Sequence, residues 1–348
     1  MSSTFFKTLD RDTLVRHIGN LDQICDATRM AFVDGPARDM QVIQVQTGGG
    51  LAFQILPDRG MGLGRATLDG LPLAWMSALG EVAPWYYNPS SNGWLQSFGG
   101  GLMASCGLTN VGGGCAVDGI DIGLHGRLSH IPARDLTITR CWGDDGYRIT
   151  VAATVLDGTV LGGALRLTRT YTVTMGDNAI RLNDEITNVG SRPEPLFALY
   201  HFNFGYPLVS PTATLTITPS GPVEERNPDP LADVADHNQI GPAVRGAGER
   251  VFYHHLDGAA DTTAVVRLTN TIGADVVEAE MSFPLADLDH LVQWKMEGEG
   301  EYVLGLEPGN CFATGRQDQF ARGDVEILGA GETKHVHIDL VFRSRPAN

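Results

Sequence analysis

Cysteine is scarce, and what there is cannot cross-link the chain. Among 348 residues there are five, Cys25, Cys106, Cys115, Cys141 and Cys311, an odd number without a CxxC pair, which argues against a disulfide framework and against a zinc cluster. Positive charge is short as well. Lys and Arg number 25 against 41 Asp and Glu, for a formal net charge of -16 and a pI near 4.9, so nucleic acid and an acidic membrane surface are repelled on average and neither is expected as a partner. No stretch reaches the ~18 apolar residues of a membrane span, and the opening "MSSTFFKTLDRDTLVRHIGN" lacks the basic start, apolar core and small-residue cleavage site of an export signal. The expected location is cytoplasmic. Nucleotide loops are missing too: "GMGLGRA" lacks the full GxGxxG spacing, and "SFGGGLMASCGLTNVGGG" contains no GxxxxGK[ST].

What is present is a β pattern. With 43 % hydrophobic and 19 % charged residues the chain is ordinary for a folded protein with a large core. From Gln41 onward, runs rich in β-branched and aromatic residues keep returning, among them "QVIQVQT", "LAFQIL", "YRITVAATVL", "LRLTRTYTVT", "AIRLNDEITN", "ATLTIT", "TAVVRLT" and "HVHIDLVF". Several alternate apolar and polar residues, as strands with one buried face do. The expected fold is all-β: one large antiparallel β-sandwich over residues 1–348, with few short helices and no composition break or repeat. Residues 1–40 read as an N-terminal extension with a short helix in "RDTLVRHIGN", capped by Asp12 and ending near Gly19. The polar segment "PSGPVEERNPDPLADVADHNQIGP" reads as a surface excursion beside a binding site.

Three strand-like stretches place polar groups beside glycine. In "YVLGLEPGN", Tyr302, Leu304 and Leu306 point one way, while Val303, Gly305 and Glu307 point the other. In "LYHFNFGYP", Tyr200, Phe202 and Phe204 fill one face, leaving His201, Asn203 and Gly205 on the opposite one. In "GLHGRLSH", strand alternation puts His125 and Arg127 on one face with Gly123. A glycine next to such groups leaves room for another molecule, and the three faces together read as the floor of one cleft.

These stretches, taken together, resemble the aldose 1-epimerases, or galactose mutarotase-like proteins. "GLHGR" is similar to that superfamily's first histidine motif, "YHFNFGYP" to its second and "GLEPGN" to its Leu-Glu-Pro segment, in the same order along the chain. "LPDRGMGLGRA", "PLAW", "FGGGL" and "CGLTNVG" are similar to a poorly characterised branch of it, so that the resemblance spans roughly Gln41 to Phe342. It implies an isomerase that interconverts the α and β anomers of a sugar by acid/base ring opening, without metal, nucleotide or prosthetic group. It further implies Glu307 as base, His201 as acid, and His125, Arg59 and Asn203 as groups that position hydroxyls and stabilise charge on the ring oxygen. At neutral pH a glutamate of ordinary pKa about 4.3 can accept a proton and a histidine near 6.5 can keep one to give.

Other chemistries compete less well. The pairs in "HVH" (His335, His337) and "YHHLD" (His254, His255) invite a metal, yet no pattern of further ligands stands near them. There is no GxSxG for a serine nucleophile, and glycoside hydrolysis needs two carboxylates where the motifs supply one. A non-catalytic carbohydrate-binding or sensor protein of the same fold is the alternative from another class. An epimerase of a sugar phosphate is a third reading, for which Arg59, Arg127 and Lys295 of "QWKM" are the candidate phosphate contacts. The sequence leaves the sugar and the oligomeric state open.

Overall fold

Antiparallel strands dominate the computed structural model, which describes residues 5–117, 119–227, 234–323 and 325–347. Among the described residues they form a twelve-stranded sheet, an eight-stranded sheet and a two-stranded ribbon. The larger sheet runs from Asp26–Ala31 at one edge, through Met103–Leu108, Glu194–Gly205, Glu301–Gly309, His290–Gly298 and Arg250–His255, to Val223–Arg226 at the other. Alternation explains the strands. In Gly146–Gly158 every second residue is buried, so Tyr147, Ile149, Val151, Ala153 and Val155 face inward. The inner faces of the two sheets share one core, in which Phe202, Phe204 and Leu306 from the larger sheet join Tyr171, Phe283 and Phe342 from the smaller one.

That core also holds charge. Arg169 and Asp184, neighbours on the smaller sheet, are both about 1 % exposed and pair at 2.6 Å. The Tyr200 hydroxyl, from the larger sheet, donates to Asp184 at 2.7 Å, and the Tyr171 hydroxyl donates to the carbonyl of Met61 at 2.6 Å. Every polar end is satisfied, as a charge in such a place requires. The knot fastens the two sheets directly behind His201, the residue after Tyr200.

The strands read from the sequence are present. The short helix is Arg11–His17, but its cap is Asp10, whose carboxylate accepts from the Thr13 N–H at 2.6 Å; Asp12 lies inside the first turn. The sheet begins before Gln41, because Asp26–Ala31 pairs with Gln41–Gln46 along its whole length. "GMGLGRA" lies largely in a strand, Gly62–Leu68, and a second helix that the periodicity does not reveal, Arg316–Arg322, stands between glycines 315 and 323. Residues 228–233 of the expected surface excursion lie outside the described residues; on either side of them come the edge strand Val223–Arg226 and a 3-10 turn, Val234–Asn238. No helix of the described residues is long and apolar enough to cross a membrane.

Candidate active site

Cross-strand register assembles the candidate residues. Phe202 pairs with Leu306 and Asn203 with Gly305, and the same register sets His201 opposite Glu307. Glu307 in turn faces Val292, and Val292 faces Tyr253. Residues opposite one another share a face, so His201, Glu307, Val292 and Tyr253 form a row across four strands on the outer face of the sheet. Next to it runs a second row, Asn203, Gly305, Trp294, Val251 and Arg226. The register of Glu307 is set by a hairpin in which Gly298 pairs with Glu301 around only Glu299 and Gly300.

The glycines make room, but for the protein itself. A Cβ on Gly305 would lie 2.6 Å from Glu307 Oε1 and 3.0 Å from Trp294 Cβ, so the carboxylate and the indole occupy the space that glycine leaves. The corresponding neighbour of Gly205 is the backbone of Trp75, and that of Gly123 is the carbonyl of Pro89. The expected open floor is therefore closed over. His201 and Glu307 are 5 % and 2 % exposed, with the ring centres of Trp294 and Phe98 at 5.4 and 5.6 Å from that of His201.

His125 arrives from a loop. The "GLHGR" segment is a turn, in which His125 and Gly126 adopt φ of 55° and 67°, so strand alternation fails and Arg127 does not share its face. The His125 backbone is pinned on both sides, its N–H donating to the Gly112 carbonyl and its carbonyl accepting from the Gly107 N–H, each at 2.9 Å. The Gly112 N–H also points at His125 Nδ1, at 3.3 Å. A backbone N–H can only donate, so Nδ1 is the acceptor and the ring proton sits on Nε2. The His125 ring centre is 5.9 Å from that of His201 and 5.1 Å from that of Trp94.

His201 Nε2 and Glu307 Oε1 are 3.1 Å apart, off the line of a good hydrogen bond. Burial pushes Glu307 well above the ordinary carboxylate range, with the charge of Arg226 opposing the shift. Burial also pushes His201 down to about 4, with the Asn203 side chain opposing, and His125 down to about 3, helped by His201 and Arg226. Burial thus favours the neutral form of each, and two groups in contact titrate as a pair. His201 Nδ1, Asn203 Oδ1 and Glu307 Oε1 are buried without a hydrogen-bond partner in the protein. Such atoms mark a place built for more than packing.

The remaining expected residues go elsewhere. Arg59 is buried, and its two terminal nitrogens donate to the carbonyls of Val82 and Ser97 at 3.1 and 3.0 Å. It clamps the segment carrying Trp94 rather than facing the histidines. Arg127 turns to Asp157 of the other sheet at 2.7 Å. Lys295 follows Trp294 and so points to the opposite face, where its ammonium donates to the Gln239 carbonyl at 2.6 Å. These three do not form a phosphate cluster. Asn203 does stand beside the pair, fully buried, its Nδ2 donating to the carbonyls of Gly101 and His201 at 3.1 and 2.9 Å. One histidine of each other pair is hydrogen-bonded: His254 with Gln293 at 2.9 Å and His337 with Asp287 at 2.7 Å. Among the described residues no three His, Cys, Asp or Glu side chains group as a metal would need.

Sequence reasoning missed the aromatic walls and the Arg226–Glu249 ion pair, 2.6 Å, whose carboxylate also accepts from Trp294 Nε1 at 3.0 Å. The available signal was parity in "QWKM": once Glu307 faces outward, one of Trp294 and Lys295 must as well.

This outward face on a two-sheet antiparallel sandwich is the galactose mutarotase-like fold. A "putative aldose 1-epimerase" from Klebsiella pneumoniae superposes with a TM-score of 0.82 at 22 % identity, over 93 % of this chain and 86 % of that one. A galactose mutarotase-like protein from Clostridium acetobutylicum gives 0.62 at 12 % identity, over 93 % and 100 %. Galactose 1-epimerase from Lactobacillus acidophilus gives 0.56 at 13 %, over 92 % and 99 %. No curated protein matches the chain. The profile of the family described as "Domain of unknown function (DUF4432)" matches residues 37–341, and the chain belongs to that family.

Proposed function

We propose that the chain is an aldose 1-epimerase, exchanging the anomers of a sugar by proton transfer at Glu307 and His201. The buried contact of these two groups, 3.1 Å apart, carries the reading. Anomer exchange needs a proton taken from the C1 hydroxyl and a proton delivered to the ring oxygen. In the ionic form of the pair, the Glu307 carboxylate takes the first while the His201 imidazolium delivers the second. The C1–O5 bond breaks as the C1 carbonyl forms, the chain turns about C1–C2, and closure on the other face returns both protons. The groups therefore end as they began, and the step calls on no cofactor.

The surroundings suit that chemistry. Burial favours the neutral form of each group, so the carboxylate–imidazolium form is the less populated one, and the pair exchanges a proton without help from solvent. His125, neutral with its proton on Nε2, is a fixed donor for oxygen charge rather than an acid. Trp294 and Phe98, which flank His201, wall the pair off from water. The engagement of Arg59, Arg127 and Lys295 elsewhere weighs against a phosphorylated substrate.

Optical rotation of freshly dissolved aldoses, with and without the protein, tests the proposal. Acceleration of at least one aldose is expected, falling about 10²–10⁴-fold in Glu307→Gln and in His201→Asn while sugar binding persists. A panel with no acceleration, or a Glu307→Gln variant at full rate, would overturn it.

A further inference from the structure

Beyond Trp294 the outer face carries one more ion pair, and it is incomplete in an informative way. Arg226 stands opposite Val251, and Val251 opposite Trp294, so all three share the face that bears Glu307. Arg226 Nη2 donates to one oxygen of Glu249 at 2.6 Å, and the other oxygen accepts from the Trp294 indole N–H at 3.0 Å. The guanidinium also bears on the Tyr253 hydroxyl in the neighbouring row, but its Nε is buried without a hydrogen bond of good geometry. A buried N–H left unmet is costly, and this one belongs to a guanidinium whose charge is felt at both Glu307 and His125. Between the Glu307 strand and the Arg226 strand lie three strand spacings, or about 14 Å at the backbone. Arg226 thus faces the pair from across the site rather than from beside it. Because Glu249 already balances its charge, what it has left to offer is a directed neutral-ligand contact, not an anion site.

We propose that Arg226 is a specificity-determining residue of the sugar site, its Nε–H donating to a hydroxyl remote from the anomeric carbon, with Glu249 holding both the guanidinium and the Trp294 indole in place. The proposal rests on the sugar reading above. Contacts far from the reacting bond are where one sugar is told from another, because they add binding without touching the chemistry.

The test compares wild type, Arg226→Gln and Arg226→Lys on aldoses and their monodeoxy analogues, by polarimetry for turnover and by tryptophan fluorescence for binding. Circular dichroism melts check that each variant folds. For Arg226→Gln, KM and Kd should rise about 10–100-fold with kcat nearly kept, and Arg226→Lys, which has charge but no Nε–H, should not restore them. One monodeoxy analogue should lose the same factor on wild type and nothing further on the variant. Unchanged KM and Kd in Arg226→Gln, rescue by lysine, or penalties that multiply for every analogue would overturn the proposal. If wild type binds sugars but turns none over, the epimerase reading fails while the fluorescence comparison still decides Arg226. If wild type binds no sugar, both fall.

Discussion

Adding a single methyl group at Gly305 should separate catalysis from folding. A Cβ there would meet Glu307 Oε1 at 2.6 Å, and ordinary contact begins near 3.4 Å, so the carboxylate must withdraw by about 0.8 Å. The backbone has no reason to object: Gly305 is not among the positive-φ glycines, and alanine costs the unfolded chain less entropy than glycine by roughly 0.5–1 kcal/mol. The clash falls mainly on the end of a flexible side chain, with a lesser one at 3.0 Å on Trp294 Cβ. Crowding of this kind costs about 1–3 kcal/mol in a packed core, so Gly305→Ala should lose at most about 2.5 kcal/mol of stability. Misplacing a catalytic group by about 1 Å, however, costs on the order of 10²-fold in rate. A denaturant titration and a polarimetric progress curve on the same preparation give both numbers. A variant that is folded and turns over at the wild-type rate would refute the claim that Glu307 works from the space above Gly305.

Acid should weaken the fold early. His201 and His125 have folded values near 4 and 3 against an ordinary 6.5, so below about pH 6.5 the unfolded chain takes up protons that the native site refuses. Stability is then lost as pH falls from there to about 3, and His125→Asn should flatten that limb of a stability-against-pH curve. Glu307 works in the opposite sense: its raised value means that the native carboxylate is disfavoured once pH exceeds the ordinary value of 4.5, so Glu307→Gln should gain stability over wild type at pH 7 and lose that advantage near pH 4. In the core, Arg169→Met leaves Asp184 buried and uncompensated and should cost about 3–5 kcal/mol in denaturant titration, whereas Arg169→Met with Asp184→Leu should recover most of the loss.

The strands and the outward parity of His201 and Glu307 were legible because period-2 alternation depends on neighbours along the chain. His125 stands out in the sequence as a polar group beside glycine, before any motif resemblance, but strand alternation places it on the wrong element, since a left-handed φ at a non-glycine residue leaves no mark in composition. Arg59, Arg127 and Lys295 were chosen for charge, yet each is spent on carbonyls or a carboxylate that only the folded chain brings near. Arg226 was hidden for the converse reason. It lies in a polar segment whose composition says only that it is exposed, and its place beside Trp294 follows from pairings between Arg226, Val251 and Trp294 across 68 positions of sequence, from 226 to 294.

The two-residue turn at Glu299 and Gly300 has a consequence for how this protein can vary. It fixes which of two adjacent side chains, Leu306 or Glu307, faces outward. An extra residue at the tip can be taken up by a longer loop, but one inserted between Glu301 and Glu307 would either rotate the carboxylate into the greasy interior or break step with the partner that carries His201. Two inserted there preserve the parity. Relatives in which this glutamate still faces the histidine are therefore expected to vary in length at the tip, or by even numbers of residues beyond it.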